Sequence, residues 1–148
     1  YVSEMMEDEP DTYFVMGSGS TVGAIMEYLG LENTLLGVDV VRQGKREASD
    51  VTASQLIALT QGKPCKVVLT VIGGQGHLLG RGNQQLSPEF IRHVGKQNMI
   101  VVATKQKIRG LHGKPLRLDS GDERLDAQLS GAFTIITGYK DKVLYNAV

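Results

Sequence analysis

A chain of 148 residues suits one domain, long enough to bury roughly two-thirds of its unfolded surface. Sixteen basic and sixteen acidic residues cancel, which removes the electrostatic footprint of a nucleic-acid binder, and with three Phe, five Tyr and no Trp there are few stacking platforms for single strands. The single cysteine, Cys65, excludes an internal disulfide and a Cys-rich zinc site, and no apolar run approaches the roughly 18 residues of a membrane span.

These properties predict a soluble, cytoplasmic protein, with no signal-peptide pattern and Cys65 a buried structural thiol beside Val67 and Val68. The start at Tyr1, without an initiator methionine, suggests a piece of a longer protein whose upstream part is a partner.

Residues 1–11 are acidic and end in Pro10-Asp11, reading as a frayed lead-in or the end of a helix. Thr12 to Met16 is a β-rich run. Gly17-Ser18-Gly19-Ser20-Thr21 then turns into a stretch with Val22, Ile25, Met26 and Leu29 at helical spacing, closed by Gly30 as a C′ glycine. Leu35 to Val41 reads as a second strand, and Asp50 or Thr52 caps a helix through Leu59. Lys66 to Ile72 is a third strand, Ser87 caps a helix with Pro88 at its first position, and Met99 to Ala103 is a fourth strand. Beyond it lie a short Lys/Arg-rich helix over 105–111, the segment Pro115 to Leu118, and a short helix from Asp122 to Leu129. Ala132 to Thr137, a turn over 138–142 and Val143 to Tyr145 make a terminal hairpin. Alternating strands and helices with near-continuous apolar strands predict a three-layer α/β domain over 12–148. Its sheet is expected to be mostly parallel, with helices on both faces and a C-terminal antiparallel hairpin.

In such a sheet ligands gather beyond the carboxyl ends of the strands. The most informative segment lies there: five glycines fall within residues 73–82, after the apolar run Val67 to Ile72. Gly73, Gly74, Gly76, Gly80 and Gly82 bare the backbone N–H groups, and Gln75, Arg81, Asn83, Gln84 and Gln85 add hydrogen-bonding side chains. Ligand contact is the expected use, with Arg81 suited to a phosphate or to a structural ion pair. Gly17, Ser18, Gly19, Ser20 and Thr21 stand at a helix N-terminus, where free N–H groups attract an anion and where Ser and Thr also serve as ordinary caps.

Asp39, inside an apolar run, is a candidate ribose-hydroxyl acceptor or metal-side acid, or else a paired or edge-exposed aspartate. Asp119 and Asp122 in Asp119-Ser120-Gly121-Asp122 can reach Mg²⁺ or form an Asx-turn with an N-cap. His77, His93 and His112 match no metal-ligand spacing, so no metal site is assigned, and no catalytic residue is identified.

The segments Met16 to Thr21, Thr34 to Val41, Ile72 to Pro88, Ile100 to Thr104, Asp119 to Asp122 and Thr137-Gly138-Tyr139 resemble the C-terminal half of the bacterial and archaeal ATP-NAD kinase family, in the branch related to acetoin-catabolism kinase-like proteins. The resemblance runs from about Tyr13 to the end and is most specific over Ile72 to Pro88. It implies phosphoryl transfer from ATP, or from polyphosphate, to the 2′-hydroxyl of NAD, with Mg²⁺ in the full-length enzyme and the possibility of a homo-oligomer. The family carries a Gly-Gly-Asp-Gly motif; Gly73-Gly74-Gln75-Gly76 is similar, with Gln75 where the aspartate would stand. A neutral amide neither accepts the hydroxyl proton nor holds Mg²⁺ as a carboxylate does, so the catalytic motif is expected upstream and the isolated chain inactive. A second, narrower resemblance, carried by the Gly17–Thr21 loop and spanning only the first βα unit, is to ribose-5-phosphate isomerase-like folds and related sugar-phosphate sensors, which would make the chain a binding module without catalysis.

Overall fold

In a computed structural model describing residues 2–17, 19–31, 38–43, 45–48, 51–72, 76–79, 85–138 and 141–148, the longest apolar runs form the centre of one sheet. Strands β1 (Tyr13–Met16), β4 (Cys65–Thr70) and β5 (Met99–Val102) lie side by side and parallel, and β6 (Gly131–Gly138) continues them in the same direction. The flanking strands are β2 (Asp39–Arg42) and β3 (Lys45–Ala48) on one side and β7 (Asp141–Ala147) on the other, giving the order β3-β2-β1-β4-β5-β6-β7 among the described residues.

The expectation of a mostly parallel sheet needs correction. Three neighbouring pairs are parallel, but β1–β2, β2–β3 and β6–β7 are antiparallel, so the sheet is mixed. The C-terminal hairpin was expected; the second hairpin was not. Gln43 turns the chain at φ 55 between β2 and β3, and β3 is the polar sequence Lys45-Arg46-Glu47-Ala48, suited to an edge where charge discourages further strand pairing. Of the second strand expected at Leu35 to Val41, residues 38–41 are described and 39–41 fall in β2.

Side chains alternate between the two faces, as the period of a strand requires. Phe14, Met16, Val68 and Val102 pack against α1 (Val2–Asp8) and α2 (Ser20–Tyr28), through Val2, Met6, Val22 and Met26. Tyr13, Val15, Val67, Leu69 and Val101 face the opposite layer. There α3 (Ala53–Thr60), α4 (Pro88–Val94) and α6 (Glu123–Leu129) bury Leu56, Phe90, Ile91, Leu125 and Leu129, while the short α5 (Lys105–Arg109) contributes the half-buried Ile108. The architecture is therefore helix layer, sheet, helix layer.

Local chemistry sets the helix ends. Gly30 (φ 75) ends α2: its N–H bonds Glu27 O at 2.9 Å and the N–H of Leu31 bonds Met26 O at 2.9 Å, the paired bonds of a Schellman motif. Thr52 and Gln55 form a reciprocal capping box on α3, whereas Asp50, the other candidate cap, lies outside the described residues. Ser87 accepts from the Phe90 N–H with Pro88 at the first helical position of α4. The residues before the first strand are helical, with Val2 and Met6 buried against the sheet.

Candidate functional site

Strand order reverses between β1 and β4: the chain moves outward one way through β2 and β3, and the other way through β5 and β6. Such a reversal opens a crevice beyond the carboxyl ends of the central strands, the usual place for a ligand in an open α/β sheet. Because β1 and β4 are parallel neighbours, the loops that follow them leave the sheet at the same edge.

The first loop is held tightly against β4. The Gly17 N–H donates to Val68 O at 2.9 Å, and Gly19 (φ 118) approaches so closely that an added Cβ would stand 2.6 Å from Thr70 Cγ2. Gly19 is also the N-cap of α2 and offers no side-chain cap, whereas α3, α4, α5 and α6 begin with side-chain caps from Thr52, Ser87, Thr104 and Asp122. The first turn of α2 thus lacks the N-cap side-chain bond that the other four make. Ser18 lies outside the described residues, Ser20 begins α2, and Thr21 is half-buried on it.

Of the glycine-rich second loop, Gly73, Gly74, Gln75, Gly80, Arg81, Gly82, Asn83 and Gln84 lie outside the described residues. The remainder is folded back into the core. Ile72 and His77 exchange backbone bonds of 2.8 and 2.9 Å, and residues 76–78 are clasped by Arg117, whose N–H donates to Gly76 O and whose carbonyl accepts from the Leu78 N–H, both at 2.9 Å. Leu78 and Leu79 are fully buried. Gly76 (φ 75) has its own packing reason to be glycine, since a Cβ there would meet Leu111 Cδ2 at 2.8 Å. Gln85 is half-buried, with its Oε1 enclosed and without a hydrogen-bond partner among the described residues.

The candidate acids stand in different local settings. Asp39 sits opposite Met16 at the edge where the β1 loop departs, and only 2% of it is exposed. Asp119 is largely exposed, its Oδ2 3.9 Å from Nε2 of His77, a buried side chain whose Nδ1 has no hydrogen-bond partner. Asp122 accepts from the backbone N–H groups of Arg124 and Leu125, capping α6, and takes a hydrogen bond from Arg92 Nη2. The Arg92 hydrogen bond, followed by that from the Leu125 N–H, holds its carboxyl below the ordinary value. Its two functions are therefore local and structural. Among the described residues no three His, Cys, Asp or Glu side chains converge to hold a metal ion, so no step is assigned to Mg²⁺. Burial pushes the Cys65 thiol up to about 12, which leaves it protonated and inert at neutral pH.

A groove of about 540 Å³ lies beside the first loop. It runs along α2 from Thr21 to Tyr28, is bounded opposite by the carboxyl ends of β5 and β6, at Val102 and Ile136 to Gly138, and is flanked by Val2 and Glu4 of α1. Its walls come from residues more than seventy positions apart in the chain, which no local spacing reveals.

The family model described as the ATP-NAD kinase C-terminal domain matches residues 9–147. The chain belongs to that family. The match takes in both strand-end loops, Asp39 and the C-terminal hairpin, and all but the first two residues of the groove lining. No curated protein and no solved structure matches the chain. Among the described residues no helix is long and apolar enough to cross a membrane.

Proposed function

We propose that this chain is the nucleotide-binding C-terminal part of an ATP-NAD kinase that transfers the γ-phosphoryl group of ATP to the ribose 2′-hydroxyl of NAD, giving NADP. The observation that carries this reading is the family match over residues 9–147. Its physical support is the sheet edge: the α2 N-terminus without a side-chain cap from Gly19 and the groove beside it lie where an α/β sheet binds ligands. In the proposed site the Gly17–Thr21 loop and Arg81 hold phosphate, and Asp39 serves the ribose. The protein works in the cytoplasm, where a free thiol such as Cys65 persists.

In the reaction a bond forms between the 2′-oxygen and the γ-phosphorus as the bond to the β–γ bridging oxygen breaks, and the hydroxyl proton passes to a base. Gln75 is neutral and does not serve as that base. The isolated chain therefore binds nucleotide without forming NADP. The competing reading, a sugar-phosphate sensor, draws on the same loop and predicts different ligands.

Thermal unfolding with ATP, NAD and NADP beside a panel of sugar phosphates separates the two. Nucleotides should raise the melting temperature by mass action while sugar phosphates leave it unchanged. Stabilisation by sugar phosphates alone would transfer the assignment to the sensor.

A further inference from the structure

The groove beside α2 has a shape and composition that select among ligands. Val102 and Ile136 supply apolar side chains from the sheet, Ala24 and Ile25 an apolar wall from α2, and Val2 with the exposed, acidic Glu4 a third side from α1. At the far end stands Tyr28, 80% exposed although its ring is large and mostly apolar. An aromatic ring left in water on the wall of an apolar groove is a surface on which a flat ligand can stack. Thr137, also in the lining, is half-buried, and its hydroxyl oxygen has no hydrogen-bond partner among the described residues. The other end opens at Thr21, in the first turn of α2. From Thr21 to Tyr28 the helix rises roughly 10 Å at about 1.5 Å per residue, comparable with the reach of a nucleoside monophosphate from phosphate to base.

We propose that this groove is the subsite for the heteroaromatic ring of a nucleotide, stacked on Tyr28 with its phosphate toward the first turn of α2. The proposal rests on the nucleotide-binding reading above and adds where the base lies. A bare sugar phosphate fits the same space poorly, because its hydroxyls would be desolvated against Ala24, Ile25 and Val102 without partners. The adenine and nicotinamide halves of NAD share the required chemistry, a flat ring joined through ribose to phosphate, and they are told apart by experiment.

The test is a methyl-NMR titration of the 148-residue chain with NAD, AMP, nicotinamide mononucleotide, ribose 5-phosphate and inorganic phosphate. NAD and one mononucleotide should shift the methyls of Ile25, Val102 and Ile136, and the mononucleotide that does so identifies the ring. Ribose 5-phosphate and phosphate should leave those methyls in place. Tyr28→Ala should weaken NAD binding about ten-fold, the scale of losing a base-stacking platform, while Tyr28→Phe retains it. The exposure of Tyr28 keeps both variants folded. If NAD binds but shifts only methyls outside the groove, and Tyr28→Ala binds it unchanged, the subsite is wrong and the nucleotide reading stands. If no nucleotide binds anywhere, both fall.

Discussion

Gly19 and Thr70 press together where β1 and β4 deliver the chain to the carboxyl edge of the sheet: a Cβ on Gly19 would lie 2.6 Å from Thr70 Cγ2. The contact fixes the loop entering α2 against the end of β4 and leaves no room for a side chain. Gly19 also has φ 118, a region that L-residues rarely occupy. Gly19→Ala should therefore destabilise the chain by about 1–3 kcal/mol, the scale of local backbone strain. Pairing it with Thr70→Ser removes the clashing methyl and should restore only part of the loss. Urea unfolding of both variants measures the two contributions, and an unchanged midpoint for Gly19→Ala would mean the loop is not held as described.

Met6 tests whether α1 belongs to the fold. It is 2% exposed and packs with Val2 in the layer that also contains Phe14 and Met26. Truncating it leaves a cavity beneath the helix, and Met6→Ala should cost about 2–5 kcal/mol. A loss below about 0.5 kcal/mol, the level of an ordinary surface change, would show that α1 is frayed in solution.

Asp122 makes stability depend on acid. Its folded-state pKa lies below the ordinary value of 3.8, first through the Arg92 hydrogen bond and then the Leu125 N–H. A depressed carboxyl contributes stability that is fully present above the unfolded value and is lost as pH falls through the folded value. The melting temperature should accordingly drop below about pH 4 by linkage. Asp122→Asn keeps a capping oxygen but loses the charge, so it should flatten that part of the profile and lower stability at neutral pH. Parallel acid profiles for the two proteins would remove Asp122 from the account.

Much of the centre of this fold was legible in the sequence. Val67 to Thr70 and Met99 to Val102 are continuous apolar runs, as strands covered on both faces must be, and Thr52 and Ser87 announced their helices by capping chemistry. The direction of β2 was not legible, because an apolar run reads alike whether its strand runs parallel or antiparallel to β1. β3 was missed because Lys45, Arg46 and Glu47 are edge residues and carry no hydrophobic pattern. Of the candidate site, the sequence pointed to the carboxyl edge of the sheet and to Gly19, whose backbone conformation and contact with Thr70 require a small residue. It did not indicate that Gly76, Leu78 and Leu79 are packed inward beneath residues 111–118, nor that Tyr28 and Ile136 share a groove. Those relationships arise only when distant segments meet.

Cys65 provides a chemical check on the packing of β4. With its thiol raised to about 12 by burial, it should react very slowly with a disulfide reagent at pH 8 and quickly once the chain is unfolded in urea. Rapid labelling of the native chain would show that the edge of the sheet at Cys65 opens readily.

Calorimetric titration of the chain with NAD measures whether this protein binds the dinucleotide at all. Saturable binding is predicted, with ribose 5-phosphate silent under the same conditions. Arg81→Ala should weaken the NAD interaction by about 1.5–3 kcal/mol, roughly ten- to a hundred-fold, with little change in melting temperature. No heat from NAD, or binding of ribose 5-phosphate in its place, would contradict the account.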